Sequence, residues 1–189
     1  PDVEVVGIEI DPIRVTQALE IVEPGLNFAY GGFEVPLPDA RKPIAIRAFN
    51  VLRQYDESEV SKSWQLMTNR LAPAGFLVEG TCDEIGRRSS WVALRSQEKT
   101  PETFTISLHV GSLEMPSEIA PRLPKALIHR NVPGERIYDF LQEFDRAWLG
   151  NSAMIPFGSR QRWVAAVESL RSSYPILDNK VRWRLGEVT

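Results

Sequence analysis

Polar residues fall at the ends of successive apolar runs in the first half of this 189-residue chain. Glu9 closes the run VEVVGIE, and Glu34 follows LNFAYGGF. Arg47 and Asn50 lie in and at the end of IAIRAFN, and Thr81, Asp83 and Glu84 follow FLVEG. Almost continuous apolar runs of this length read as parallel strands covered on both faces. In open parallel sheets ligands bind beyond the carboxyl ends of the strands, so four such strands would deliver these groups to one edge. Glu9 carries the most specific chemistry, because a carboxylate at that point can accept both hydroxyl hydrogens of an adenosine ribose. The competing account is an acid stabilised by a helix N-terminus. Asp11, followed by Pro12, already fills that capping position, which favours the ribose role for Glu9.

The spacing of apolar residues defines the elements that would position these groups. Val3–Ile10 reads as a strand; Val15, Leu19 and Val22 mark a helix stopped by Pro24-Gly25; Leu26–Tyr30 is a second strand. Pro43–Phe49 is a third. Asp56 with Glu59 forms a capping-box pattern before a helix whose face carries Val60, Trp64, Met67 and Leu71. Pro73-Ala74-Gly75 turns into a strand at Phe76–Glu79. The order strand–helix–strand, twice, predicts an α/β fold with a parallel sheet. Thr81–Arg88 reads as a polar loop, and Ser89–Arg95 and Thr103–Val110 as two strands joined across Gln97–Pro101. Pro116–Arg130 holds three prolines and predicts only a broken helix. Ile137, Phe140, Leu141, Phe144 and Trp148 share one helical face; Trp163, Val167 and Leu170 mark a last helix; Val181, Trp183 and Leu185 alternate as in a terminal strand.

Three segments, in order and spacing, resemble the later motifs of class I S-adenosylmethionine-dependent methyltransferases. They are VEVVGIEID at Val3–Asp11, Asn50-Val51-Leu52-Arg53, and Leu71-Ala72-Pro73-Ala74-Gly75. The second is similar to the "NVLH" of members acting on small molecules, with Arg53 replacing His. The third is similar to "LxPGG", with Ala74 replacing one Gly. The two prolines of members that methylate planar nitrogens are absent. GTCDEIGRR, RLPKALIHRNVPGE and RWRLGE resemble segments of a bacterial branch of the family. The resemblance covers residues 3–80. It implies a Rossmann-like, mostly parallel sheet whose first strand and glycine-rich loop lie upstream of Pro1, with a helical C-terminal insertion. The whole is expected as a single domain of residues 1–189, with 1–80 as the cofactor-binding core and 81–189 on the substrate side. It implies S-adenosyl-L-methionine as cofactor and a small-molecule methyl acceptor. Cofactor contacts would come from Glu9 and Ile10 at the ribose, Phe33 and Glu34 at the adenine, and Asn50 at the amino-acid part. Asn50, Tyr55 and Asp83, with Glu84 beside it, would orient the acceptor or take a proton. Phe33, Val35 and Leu37 also alternate as a plain core face would.

Bulk composition narrows the alternatives. A formal net charge of −3 gives no global case for nucleic acid, yet residues 1–119 hold 11 Lys and Arg against 18 Asp and Glu, and residues 120–189 hold 11 against 7. The basic C-terminal third, with Arg160, Arg162, Trp163, Arg182, Trp183 and Arg184, keeps open a non-catalytic scaffold that binds a partner or RNA. The same pattern fits two buried tryptophans with outward arginines. A nicotinamide-dependent oxidoreductase would use Glu9 equally well, but no Tyr-x-x-x-Lys pair accompanies it. One cysteine, Cys82, and two histidines, His109 and His129, make neither a disulfide framework nor a usual zinc site, which fits a reducing, cytoplasmic setting. No apolar run approaches a membrane span of roughly 20 residues. An unpaired sheet edge would favour a homo-oligomer.

Overall fold

The computed structural model describes residues 3–189. Strand β1 (Val5–Glu9), helix α1 (Pro12–Ala18) and strand β2 (Leu26–Tyr30) form a parallel unit in which Val5 faces Leu26 and Glu9 faces Tyr30. Asp11 starts α1 as its sequence implies: its Oδ1 accepts from the Ile13 and Arg14 amides at 2.8 and 3.4 Å, with Pro12 in the first turn. A second unit follows: β3 (Ala45–Phe49), α2 (Glu57–Arg70) and β4 (Phe76–Cys82), with β3 and β4 again parallel. At the start of α2 the Glu59 carboxylate reaches back to the Asp56 amide at 3.2 Å.

From β4 onward the sheet turns antiparallel. β5 (Arg88–Arg95), β6 (Thr103–Leu108) and the short β7 (Glu187–Val188) extend it in the order β3-β4-β5-β6-β7. The class is α/β, as expected, with the sheet divided into a two-stranded and a five-stranded part. Two of the five strand pairings are parallel. Beyond β6 the chain is helical: α3 (Lys125–Ile128), α4 (Arg136–Gly150), α5 (Ser159–Leu170) and α6 (Lys180–Trp183), joined by 3-10 turns at Pro116–Arg122 and Ser152–Phe157. Among the described residues no helix is long and apolar enough to cross a membrane.

The apolar side chains collect in two clusters. One lies between α2 and strands β3–β5, with Leu52, Val60, Trp64, Met67, Leu77 and Val92 buried. The other lies between β6 and helices α4–α6, with Leu141, Phe144, Trp148, Trp163 and Trp183 buried. Phe104 and Leu127 pack against both, so the clusters are joined.

Two elements differ from the pattern-based expectation and a third follows it. Thr81 lies inside β4, because its Oγ1 donates to the Arg122 carbonyl and the side chain is fully buried. Residues 181–188 form a helical turn and a two-residue strand instead of one strand. Asn179 Oδ1 caps that turn by accepting from the Val181 amide at 2.9 Å, and only Trp183 of the alternating set is buried. Pro116–Arg130 splits into a 3-10 turn and a four-residue helix, as its prolines require.

One acid is enclosed in the first cluster. Glu79 on β4 is fully buried, with Ala48 of β3 and Val92 of β5 in register beside it. Trp64 Nε1 donates to its Oε2 at 3.3 Å, and Oε1 has no partner among the described residues. Loss of hydration raises its pKa from 4.5 to about 7, only partly opposed by the indole hydrogen bond. Between those values the folded chain keeps a proton that the unfolded chain releases. The contribution to stability is therefore full below pH 4.5 and lost as pH rises through about 7. A shift of this size corresponds to about 3 kcal/mol. Glu79→Gln removes the ionisation. Urea unfolding from about pH 5 to about pH 8 should show the variant gaining on the wild type by up to that amount.

Candidate functional site

The carboxyl ends of β1, β2, β3 and β4 carry the residues singled out by sequence, and local hydrogen bonds fix most of them. Glu9 Oε1 accepts from the Ile10 and Asp11 amides at 2.8 and 2.9 Å. This folds the carboxylate against its own backbone and sets the direction of the second oxygen. Among the described residues Oε2 has only an ion pair with Arg14 at 3.7 Å, and about a third of the side chain is exposed. Ile10 projects into solvent. The Gly31 amide donates to the Glu9 carbonyl at 3.0 Å, which joins the end of β1 to the segment after β2.

That segment turns at Gly32, where the Val35 amide donates to the Gly32 carbonyl at 3.0 Å and the Gly32 amide donates to Glu34 Oε1 at 2.9 Å. Glu34 stays exposed. Phe33, Val35 and Leu37 alternate inward onto the cluster under α2. Phe33 stacks on Tyr55 with ring centroids 5.2 Å apart and planes inclined by 60°. The pair ties the loop after β2 to the loop after β3, and both rings are half-buried.

Asn50 has φ of 60°, a left-handed conformation that asparagine tolerates better than most residues. Its amide donates to the Gly80 carbonyl at 2.8 Å, its Oδ1 accepts from the Cys82 amide at 3.0 Å, and its Nδ2 lies 3.3 Å from Cys82 Sγ. Asn50 thus clamps the end of β3 to the end of β4. Arg53, beside it in sequence, donates from Nη1 to the Pro121 carbonyl at 2.9 Å.

Asp83 begins the turn after β4. Desolvation pushes its pKa up, but amides of Arg88, Arg87 and Gly86 and the charge of Arg122 outweigh it and hold the carboxyl below the usual range. A carboxylate stabilised this way accepts hydrogen bonds well and is a weak base at neutral pH. Glu84 pairs with Arg122 at 3.1 Å, and Arg88 pairs with Glu118, so among the described residues Asp83 and Glu84 form no ion pair with the arginines of their own turn. Arg47 is not at this edge. Its guanidinium carbon lies 3.9 Å above the Phe49 ring, beside an open apolar groove of about 460 Å³ lined by Ile46, Phe76, Val78 and Trp91. A second groove, of about 390 Å³, is at the opposite ends of β1 and β2, against Val3, Glu4, Gly25 and Asn27.

The structure therefore joins Glu9 to Gly31, Phe33 to Tyr55, and Asn50 to Cys82. It separates Arg47 from them and leaves Ile10 and Glu34 at the surface. The sequence signals neither the grip of Arg70 nor the contact of Cys82 with Asn50. Arg70 holds the segment after β2 through two carbonyls, and no motif signals that role. In the C-terminal third Trp163 and Trp183 are core side chains, unavailable for stacking on bases. Arg162 caps Trp148, Arg171 and Lys180 pair with Glu168, and Arg182 pairs with Glu187. Among the described residues no group of three His, Cys, Asp or Glu side chains is placed to hold a metal ion.

No known family profile matches the chain. No curated protein matches it either. Solved structures similar to it include the PH0226 protein from Pyrococcus horikoshii OT3, at 16% identity over 47% of this chain with a TM-score of 0.36. Another is CalS10 of Micromonospora echinaspora, an amino pentose methyltransferase bound to S-adenosylmethionine, at 18% identity over 55% of this chain with a TM-score of 0.34. LepI in complex with S-adenosylmethionine is similar at 14% identity over 43% of this chain, with a TM-score of 0.35. The similar region spans about half of the first two proteins and about a fifth of LepI.

The clamp at Asn50 gives a stability ordering. Asn50→Ala loses the Cys82 hydrogen bond and puts at φ of 60° a residue that tolerates the left-handed conformation less well than asparagine, for a cost of about 2 kcal/mol. Asn50→Gly loses only the hydrogen bond and should cost about half as much. Urea midpoints for the two variants check the order.

Proposed function

We propose that this chain contributes the adenosine-facing edge of an S-adenosylmethionine-dependent methyltransferase acting on a small molecule. The observation that carries the reading is Glu9. Its carboxylate stands at the end of a parallel strand, oriented by two amides through Oε1, with Oε2 free of hydrogen bonds among the described residues. A vicinal diol is the ligand chemistry that such an acceptor suits. Phe33 and Tyr55 offer apolar ring edges next along the same side, and Glu34 Oε2 offers a further acceptor to an amino group.

When bound, the cofactor supplies a methyl carbon already activated by its positive sulfur. The protein then has to align the acceptor and exclude water, which needs no catalytic triad. Asn50, held by Cys82 through both ends of its side-chain amide, would offer the remaining Nδ2 hydrogen or Oδ1 lone pair to a polar group of either reactant. Tyr55 shapes the apolar wall, and Asp83 accepts a hydrogen bond from the acceptor.

Calorimetric titration with S-adenosylhomocysteine tests the reading, with NADH as the comparison. Micromolar binding of the homocysteine compound is expected. Glu9→Ala should weaken it about 10- to 100-fold, the loss of a charge-assisted hydrogen-bond pair. Tighter binding of NADH would move the site to nicotinamide chemistry, and binding of neither compound overturns the cofactor assignment.

A further inference from the structure

We propose that Arg70 is a positioning residue for the adenine-side segment, an inference that rests on the cofactor reading above. Arg70 ends α2, and its guanidinium spans two carbonyls of the connection from β2 to β3. Nε donates to Val35 O at 3.2 Å, and Nη2 donates to Arg41 O at 3.5 Å. The fork thus grips both ends of residues 35–41. Arg41 in turn sends its own guanidinium to Glu4, ahead of β1, so the strap is tied to both parallel units.

The backbone between these grips is not relaxed. Val35 has φ of 45° and Asp39 has φ of 55°. A β-branched residue at positive φ is a steric outlier, and it persists only when its surroundings hold it there. Here the Val35 side chain is buried, its amide is bonded to the Gly32 carbonyl, its carbonyl also accepts from the Leu37 amide at 3.0 Å, and Arg70 takes the same carbonyl from outside. This conformation turns Phe33 and Val35 inward on either side of Glu34 and leaves the Glu34 carboxylate outside. Arg70 touches neither Phe33 nor Glu34 through a hydrogen bond, so it acts on them through the strap. Two acceptors held at once need a planar fork, which a lysine ammonium on a flexible stem does not reproduce.

The test uses the whole chain with Arg70→Lys, which keeps the charge at the end of α2, and Arg70→Gln, which keeps one donor. S-adenosylhomocysteine affinity is measured where each protein is fully folded by its urea curve, and amide hydrogen exchange is followed at Val35 and Leu37. The expected result is an affinity about 10-fold weaker in both variants, or about 1.4 kcal/mol, with faster exchange at those two amides. A purely structural role would lower the urea midpoint and leave the affinity of the folded protein unchanged. Wild-type affinity in Arg70→Lys overturns the proposal while the cofactor reading stands. Absence of binding by the wild type overturns both, and is told apart because it precedes any substitution.

Discussion

Strand β4 has to satisfy two hydrogen-bonding geometries at once, slanted and parallel toward β3, perpendicular and antiparallel toward β5. The parallel and antiparallel parts of the five-stranded sheet meet at that strand. Leu77 and Glu79 point into the cluster under α2, and Thr81 reaches the Arg122 carbonyl, which also accepts from Ser90 at 2.7 Å. Gly80 lies so close to β5 that a Cβ there would come within 2.3 Å of the Ser90 carbonyl oxygen. Its own carbonyl takes the Asn50 amide, and Cys82 takes the Asn50 side chain. The end of β3 is therefore placed by β4.

The same economy governs the loops at the carboxyl edge. Neighbouring loops are joined in pairs: Gly31 to the Glu9 carbonyl, Phe33 to Tyr55, Asn50 to Gly80 and Cys82. A chain of pairwise links transmits small displacements along the edge, because packed interiors deform little. It also explains why acids near the edge differ in character. Glu9 and Asp83 are hydrogen-bonded by backbone amides, whereas Glu79, two residues before Thr81 on β4, has one indole donor and no cation.

Much of this was legible in the sequence, and the failures have physical causes. The apolar runs of β1 to β4 and the Asp11-Pro12 start of α1 depend on neighbours in sequence, so pattern alone locates them. Thr81 reads as part of a loop because its partner, Arg122, is 41 residues away. Arg182-Trp183-Arg184 alternate as a strand would, but a single capped turn satisfies the same alternation when only Trp183 is buried. The inward Phe33, Val35 and Leu37 were readable as a core face, while the positive φ of Val35 was not, since nothing in a valine announces it. At the site, sequence located Glu9 and Asn50 by position after a strand. It did not reveal that Asn50 spends its side chain on Cys82, or that Arg47 leaves the edge for the Phe49 ring.

The five tryptophans are spread so that the molecule carries its own optical labels. Trp148, Trp163 and Trp183 share the helical cluster, Trp91 borders the open groove, and Trp64 donates a hydrogen bond to the enclosed Glu79. Indole emission responds to a neighbouring charge and to solvent. A shift in emission on alkalinisation that precedes any loss of helical signal would come from Trp64, one indole out of five. Light from that residue distinguishes loosening beneath α2 from separation of the helical half, two events that a single melting temperature merges.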